Sequence, residues 1–568
     1  MSVVTTSSTA AGSVPADPVR ALQHALYRAA KADPGRRFHA LRDKIFRKDV
    51  LWRAWVAVFR NDGAPGIDKA TLADVQEYGV ARLLDELAVE LREGGYRPLP
   101  ARRVLIPKPG TAQRRPLSIP AVRDRIVQAA VKIVLEPVFE ADFLPCSFGF
   151  RPRRSPHDAL QVVIDEAWRG RRWVVETDIA DCFTAIPHAK LMQAIEERVC
   201  DQAVLRLVRA ILRAGVMEDG NVRRPVTGAA QGGVVSPLLC NVFLHRIDRA
   251  WSVREHGVMV RFADDMVVMC RSREQAEAAL QRLRDLLADL GLQPKEAKTR
   301  IVCLEVGGEG FDFLGFHHRM VRSRSRDGRR PVTFLARWPT DRAMQHARDR
   351  VRELTAKRRL FLPVEAVVQD VNMFLRGWVG YFKYGHSAER LSKIRHYVRM
   401  RIALFVSKRH RRSRHFGMWA LLNHTPNEYG LIRLYGIVVS PRAGKPWREK
   451  PNAGGETASV SRVRENRMHG LTGGSWKRST RPTTATEKNY PTGKPTGHMA
   501  PAPTAGQSHR ASSRPSNLVK RWRSSGFERL RRAGLRGLGW SGSCAGSSSS
   551  STPRWPVHPA RVGERVRC

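Results

Sequence analysis

Apolar residues recur at helical spacing along most of the chain and at strand spacing in a few short runs. Leu83, Leu84, Leu87 and Leu91 fall three and four apart, so the spacing predicts a helix over Thr71–Arg92, stopped by Gly94-Gly95. Arg123–Phe139 repeats the pattern through Ile126, Ala130, Ile133 and Val134, and Glu274–Leu290 does so through Leu283, Leu286, Leu287 and Leu290, with Gly291 as its stop. Short strands are predicted at Arg103–Ile106 and Leu117–Ile119, around the turn-like Pro107-Lys108-Pro109-Gly110, and at Trp173–Ile179. Val258–Phe262 and Met266–Cys270 read as a hairpin joined through Ala263-Asp264-Asp265. Beyond about residue 340 only helical stripes remain, one through Val364, Val367, Val368, Val371, Phe374, Leu375 and Trp378 and another through Leu391, Ile394, Tyr397, Val398, Ile402 and Phe405. The mixture predicts an α+β fold followed by an all-helical region.

Charge changes the picture. The 568 residues carry 99 Lys and Arg against 53 Asp and Glu, a net charge of +46. Pro451–Cys568 holds 21 basic and 5 acidic residues, is rich in Gly, Ser, Thr and Pro, and lacks apolar periodicity. It reads as a disordered basic tail, either an arm for nucleic acid or an extension without function. Removing it leaves a net +30, for which a polyanionic partner is the simplest account. Residues 1–38 read as a flexible N-terminal segment. No run of 18 apolar residues exists and Met1–Gly12 lacks a signal-peptide pattern, so membrane spanning and secretion are disfavoured. No two of the eight cysteines fall within four residues of each other, which disfavours zinc ribbons and disulfide scaffolds and fits a reducing cytoplasm.

Two acidic sites interrupt apolar strands: Asp178 in Trp-Val-Val-Glu-Thr-Asp-Ile, and Asp264-Asp265 in Met-Val-Arg-Phe-Ala-Asp-Asp-Met-Val-Val-Met. Carboxylates flanked by β-forming residues are costly to bury unless paired or bound to metal. Three such oxygen donors suit Mg²⁺, and two ions about 3.5–4 Å apart would activate an attacking hydroxyl and stabilise a leaving phosphate oxygen. The plainer reading is a hairpin turn, where Asp is favoured.

The neighbouring motifs favour the first reading. Phe262-Ala263-Asp264-Asp265 resembles the Tyr-x-Asp-Asp box of reverse transcriptases, and Asp178-Ile179-Ala180-Asp181-Cys182-Phe183 resembles their other metal-binding strand. Between them, Gln231-Gly232-Gly233-Val234-Val235-Ser236-Pro237-Leu238-Leu239 is similar to the segment found in group II intron-encoded members. Upstream, Ile106-Pro107-Lys108-Pro109-Gly110, Arg114-Arg115-Pro116-Leu117-Ser118-Ile119-Pro120 and Ser147-Phe148-Gly149-Phe150-Arg151-Pro152 resemble the fingers motifs, and Ala64-Pro65-Gly66-Ile67-Asp68 the N-terminal extension. Leu375-Arg376-Gly377-Trp378-Val379-Gly380-Tyr381-Phe382-Lys383-Tyr384-Gly385 looks like the signature of the maturase domain, domain X.

The resemblance implies a right-hand polymerase: N-terminal extension and fingers over 39–172, palm over 173–335, and thumb with domain X over 336–450. It implies an RNA-directed DNA polymerase that also binds its group II intron RNA for splicing and retrohoming. Its partners would be intron RNA, an RNA template with a DNA primer, deoxynucleoside triphosphates and a DNA target site, with two Mg²⁺ as cofactor. Asp178, Asp264 and Asp265 would be the metal carboxylates, with the Ile179 carbonyl as a further ligand. Lys108 and Arg115 would meet the triphosphate, Phe183 would lie under the sugar and exclude a 2′-hydroxyl, Gln231 would approach the nascent base pair, and Lys298 would protonate the departing pyrophosphate.

Phe262 stands where the family usually has Tyr, which keeps ring packing and loses a hydroxyl. Arg395, Arg399, Arg401, Lys408, Arg409, Arg411, Arg412 and Arg414 read as a basic RNA-facing surface. Cys544 and Cys568 stand alone, so the zinc-binding endonuclease domain of many members is expected to be absent, and His424 with Asn427 is a loop fragment rather than a nuclease motif. Two other readings are a maturase that only binds RNA, which the intact carboxylates disfavour, and a retron or defence-type reverse transcriptase, which the domain X signature disfavours.

Overall fold

The computed structural model describes residues 17–107, 114–218, 220–223, 226–324, 331–424 and 427–445. The strands among them are β1 (Ala101–Pro107), β2 (Arg114–Ile119), β3 (Trp173–Asp178), β4 (Val216–Glu218), β5 (Asn221–Arg223), β6 (Val258–Phe262), β7 (Asp265–Cys270), β8 (Arg300–Cys303), β9 (Phe311–Phe313), β10 (Phe316–Arg324) and β11 (Pro331–Pro339). They form three sheets, in the orders β2-β1-β4-β5, β6-β7-β3-β8 and β11-β10-β9.

The β6-β7-β3-β8 sheet is antiparallel throughout and carries the candidate site. Its side chains alternate between two cores. Val175, Met259, Met266 and Val268 join the core built by the helices Pro18–Ala32, Lys48–Asn61, Val122–Glu140 and Arg273–Leu290. Val174, Val260, Val267 and Met269 join a second core with the helix Pro156–Trp168 and the C-terminal helices. Burial on both faces explains why β7 reads as a continuous apolar run rather than an alternating one.

The helix expected over Thr71–Arg92 is two helices, Leu72–Tyr78 and Val80–Glu93, broken at Gly79, which takes φ +101°. The flexible segment expected over 1–38 is corrected for its described part. Pro18–Ala32 is a helix capped by the Asp17 side chain, and it buries Val19, Leu22, Leu26 and Ala30. Those apolar positions are three and four apart, so the signal was present in the sequence.

From Asp341 onward the described chain is helical or irregular: Asp341–Leu354, Val364–Phe382, Ala388–Arg409 and Arg414–Asn423. Both predicted stripes face inward, with Val367, Val371, Leu375, Ile394, Val398 and Ile402 fully buried. The chain then returns to the helix Pro156–Trp168, where Gln161 Nε2 donates to the Arg442 carbonyl at 2.8 Å and the Gly444 N–H donates to Asp165 Oδ1 at 2.9 Å. The tail expected at 451–568 lies outside the described residues. Among the described residues no helix is long and apolar enough to cross a membrane.

Candidate active site

Pairing of β3 with β7 sets Asp178 directly opposite Asp265, and the β6–β7 turn supplies Asp264 beside them. The Ile179 N–H donates to the Asp264 carbonyl at 3.3 Å, which ties the end of β3 to that turn. Lys298 arrives from a different segment. The Lys295 N–H donates to the Asp178 carbonyl at 2.7 Å and the Lys298 N–H to the Lys295 carbonyl at 2.8 Å, so the turn lies along the end of β3. Its ammonium reaches Asp178 Oδ2 at 2.5 Å.

The electrostatics follow from this crowding. Burial, then the charges of Asp264 and Asp178, push the Asp265 carboxyl up to about 7. Burial pulls the Lys298 ammonium down, but its bond to Asp178 and the nearby carboxylates prevail and hold it above its ordinary value. Among the described residues no group of three or more His, Cys, Asp or Glu is drawn together at metal-ligating spacing. In kind, however, the donors fit a hard divalent cation: three carboxylates at neighbouring strand ends and the turn between two of them, one raised by burial and by the repulsion of the other two. Lys298 is the counter-charge in the arrangement described.

The residues expected around a nucleotide are brought to the same end of the sheet in part. Phe183, in the short helix Cys182–Ala185, is half-buried and meets Phe150 edge-on, the ring centres 6.4 Å apart. The Ala229 N–H donates to the Phe183 carbonyl at 2.7 Å, so the segment leading into Gln231 packs on this helix. The Gln231 carbonyl accepts from the Ser118 N–H at 2.7 Å, and a Cβ on Gly232, at φ +113°, would lie 2.5 Å from the Ser118 carbonyl oxygen. Only glycine allows that turn to lie against β2. Arg115, on the same strand, is half-buried, and desolvation lowers its pKa. Lys108 lies outside the described residues.

The basic surface expected in the C-terminal region is corrected in part. Arg399 pairs with Glu428 at 2.9 Å, Arg401 bonds to Thr355 Oγ1 at 3.1 Å and to its carbonyl at 3.3 Å, and Arg409 bonds to the Leu360 and Leu362 carbonyls at 2.5 and 2.6 Å. These arginines tie helices together. Arg395 stacks on Tyr435 at 4.9 Å. Lys408, Arg411, Arg412 and Arg414 are exposed around the turn between the last two long helices, with Arg412 over the ring of Phe416 at 5.9 Å. The sequence showed the charge but not which cations had carbonyls to satisfy.

One buried charge next to the site is not picked out in the sequence. Arg261 lies fully buried beneath the Asp264-Asp265 turn, paired with the equally buried Asp248. The available signal is an arginine inside the apolar run Val-Met-Val-Arg-Phe.

A family model described as reverse transcriptase (RNA-dependent DNA polymerase) matches residues 106–318, and one described as the group II intron, maturase-specific domain matches residues 344–422. Protein YkfC of Escherichia coli K12 is 35% identical over 350 residues, 54% of this chain and 89% of that protein. The group II intron-encoded protein LtrA of Lactococcus lactis subsp. cremoris is 36% identical over 205 residues, 36% of this chain and 34% of LtrA. A 91 kDa protein in the cob intron of Schizosaccharomyces pombe is 27% identical over 428 residues, 63% of this chain and 52% of that protein. The matched regions thus span only about a third of LtrA and half of the yeast protein.

Proposed function

The chain belongs to the group II intron-encoded reverse transcriptases and maturases, and from that membership we propose that it copies RNA into DNA at Asp178, Asp264 and Asp265 and binds its own intron RNA through the C-terminal helical domain. The observation that carries the reading is the in-register pair Asp178 and Asp265, with Asp264 in the adjoining turn, at the end of a sheet buried on both faces.

In this reading the three carboxylates and the Ile179 carbonyl would hold two Mg²⁺, which when bound would supply activation of the primer hydroxyl and neutralisation of the leaving phosphate. The remaining work belongs to the chain itself. Arg115 and Lys108 neutralise the triphosphate of the incoming deoxynucleotide. Phe183 presents its ring to the sugar, and its edge contact with Phe150 limits how far it can yield to a 2′-hydroxyl. Gln231 is kept near the base pair by its backbone bond to Ser118. Lys298, whose ammonium lies against Asp178, would give a proton to the departing pyrophosphate. Lys408, Arg411, Arg412 and Arg414 contact intron phosphates. Splicing assistance, insertion at a DNA target and a cytoplasmic location belong to the same proposal.

The test is primer extension on an RNA template. Extension should require Mg²⁺, and Asp264→Asn should lower it by more than about a hundredfold while leaving RNA affinity within about twofold, since phosphate contacts lie elsewhere. Undiminished extension by Asp264→Asn would remove this carboxylate from the chemistry. RNA binding and splicing by a wild-type protein that cannot extend a primer would leave a maturase without polymerase activity.

A further inference from the structure

An arginine in the middle of a palm strand, with no solvent access, must place all five of its N–H donors on protein groups. Arg261 does so. Nε donates to Asp248 Oδ1 at 2.8 Å and Nη2 to Asp248 Oδ2 at 2.5 Å, a bidentate pair. Nη2 also donates to Ser147 Oγ at 2.9 Å, and Nη1 donates to Asn241 Oδ1 and to the Ala263 carbonyl, each at 3.2 Å. Asp248 and Asn241 both stand on the helix Ser236–Arg249, which follows the Gln231-Gly232-Gly233 turn.

The Ala263 bond links this anchor to the carboxylates. The carbonyl of Ala263 and the N–H of Asp264 belong to one planar peptide unit, so fixing the carbonyl fixes how the chain enters Asp264. That restraint has something to oppose, because Ala263 sits at φ +57°, a left-handed conformation that a residue with a Cβ adopts at a cost. The surrounding backbone is braced to the same group. The Arg261 N–H donates to the Cys146 carbonyl at 2.8 Å, the Phe148 N–H to the Arg261 carbonyl at 2.9 Å, and Asn241 Nδ2 to the Gly149 carbonyl at 2.7 Å. A Cβ on Gly149 would lie 2.5 Å from the Ala263 nitrogen, so the fingers segment presses directly on the turn.

We propose that Arg261 is a positioning residue for the polymerase reaction: its ion pair with Asp248 anchors a guanidinium that holds the Ala263–Asp264 peptide in its left-handed turn and so presents Asp264 and Asp265 to the reaction. This rests on the reading of those two carboxylates as the site of chemistry. The bond is a property of the turn as well as of the fold, so its loss slows the chemical step before it weakens substrate binding. A small misplacement of reacting groups can cost about a hundredfold in rate.

The experiment uses the full chain and separates kcat from KM in primer extension, with a thermal melt and RNA affinity measured in parallel. Arg261→Lys keeps the charge but cannot reach Asp248 and the Ala263 carbonyl together. It should lower kcat by about a hundredfold while the KM for primer–template stays within about twofold. Adding Ala263→Gly to that variant should recover at least about a tenth of the lost rate, because glycine takes the left-handed turn unaided. The paired replacement Arg261→Met with Asp248→Leu removes both buried charges at once, which protein folds tolerate better than loss of one partner, and it should show the same loss of kcat.

A folded variant of either kind with kcat within about threefold of wild type would overturn the proposal. So would a slow Arg261→Lys protein that Ala263→Gly does not improve, and so would loss of the fold in both variants, which would make Arg261 a support of the core alone. Failure of the underlying reading looks different: wild-type protein would not extend a primer, or Asp264→Asn would extend normally.

Discussion

Phe183 offers a single-residue test of how the nucleotide is chosen. Its ring is half-buried against Phe150, so trimming it opens space there without touching a carboxylate, and on the proposed reading that space is on the sugar side. Phe183→Val should lower the preference for deoxynucleotides over ribonucleotides by about tenfold or more, read as the ratio of kcat/KM values, with deoxynucleotide incorporation largely kept. An unchanged ratio would separate Phe183 from sugar selection. The site residues differ in how visible they are in the sequence. Asp178, Asp264 and Asp265 stand out because a carboxylate within an apolar run is costly, and the pairing of two neighbouring strands suffices to bring them together. Lys298 depends on resemblance, since its contact needs the turn after the helix Arg273–Leu290 to lie along β3. Arg261 shows in the sequence only as a charge inside an apolar run; its partners Ser147, Asn241 and Asp248, from the fingers motif and from the helix that precedes its strand, do not.

The helix Ala388–Arg409 and the turn after it carry one long basic run, but its members differ in what they touch. Arg401 satisfies the end of the helix Asp341–Leu354 through Thr355, so Arg401→Ala should cost about 1 kcal/mol of stability, seen as a lower melting temperature. Its RNA affinity at a temperature where it is folded should be nearly unchanged. Arg411 and Arg412 have exposed side chains, and replacing both with Ala should leave the melt in place while weakening intron RNA binding. The logarithmic salt slope should flatten by about one unit for each phosphate that is no longer neutralised. Splicing at physiological Mg²⁺, which needs the whole folded RNA held, should fall further than extension of a short annealed primer. Equal loss of both activities would assign this turn to the primer–template duplex. Helical periodicity cannot sort these arginines, because it reports which face is apolar and not which carbonyls lie within reach of the polar one. The same limit explains Thr71–Arg92, where apolar spacing continues across the break at Gly79.

The two cores make the C-terminal helices part of the polymerase. Val174, Val260, Val267 and Met269 of the palm sheet are buried against the helix Pro156–Trp168 and the domain that begins at Asp341, in one continuous cluster with Val367, Leu375 and Ile394. Ending the chain at residue 340 would therefore open the core behind the sheet whose strand ends bear Asp178 and Asp265, uncovering among others Phe316, which packs on Tyr381 and Phe382. Exposed apolar surface of that kind marks an aggregation liability rather than a folded fragment. Such a protein should be insoluble or bind a hydrophobic dye strongly, and it should show no primer extension even though every candidate catalytic residue is present. Ending the chain at residue 450 is a different cut. Both matched family regions lie before it, and the return of Arg442 and Gly444 onto the helix Pro156–Trp168 is kept. That protein should melt within a few degrees of the full chain and retain extension and splicing, while the loss of 21 basic and 5 acidic residues makes its RNA binding less salt-dependent if the tail touches phosphates. A soluble, active protein ending at 340 would show that the second core holds without the C-terminal helices. An inactive one ending at 450 would show that residues 451–568 are needed. The expected order, loss at the first cut and survival at the second, follows from which apolar faces each cut uncovers.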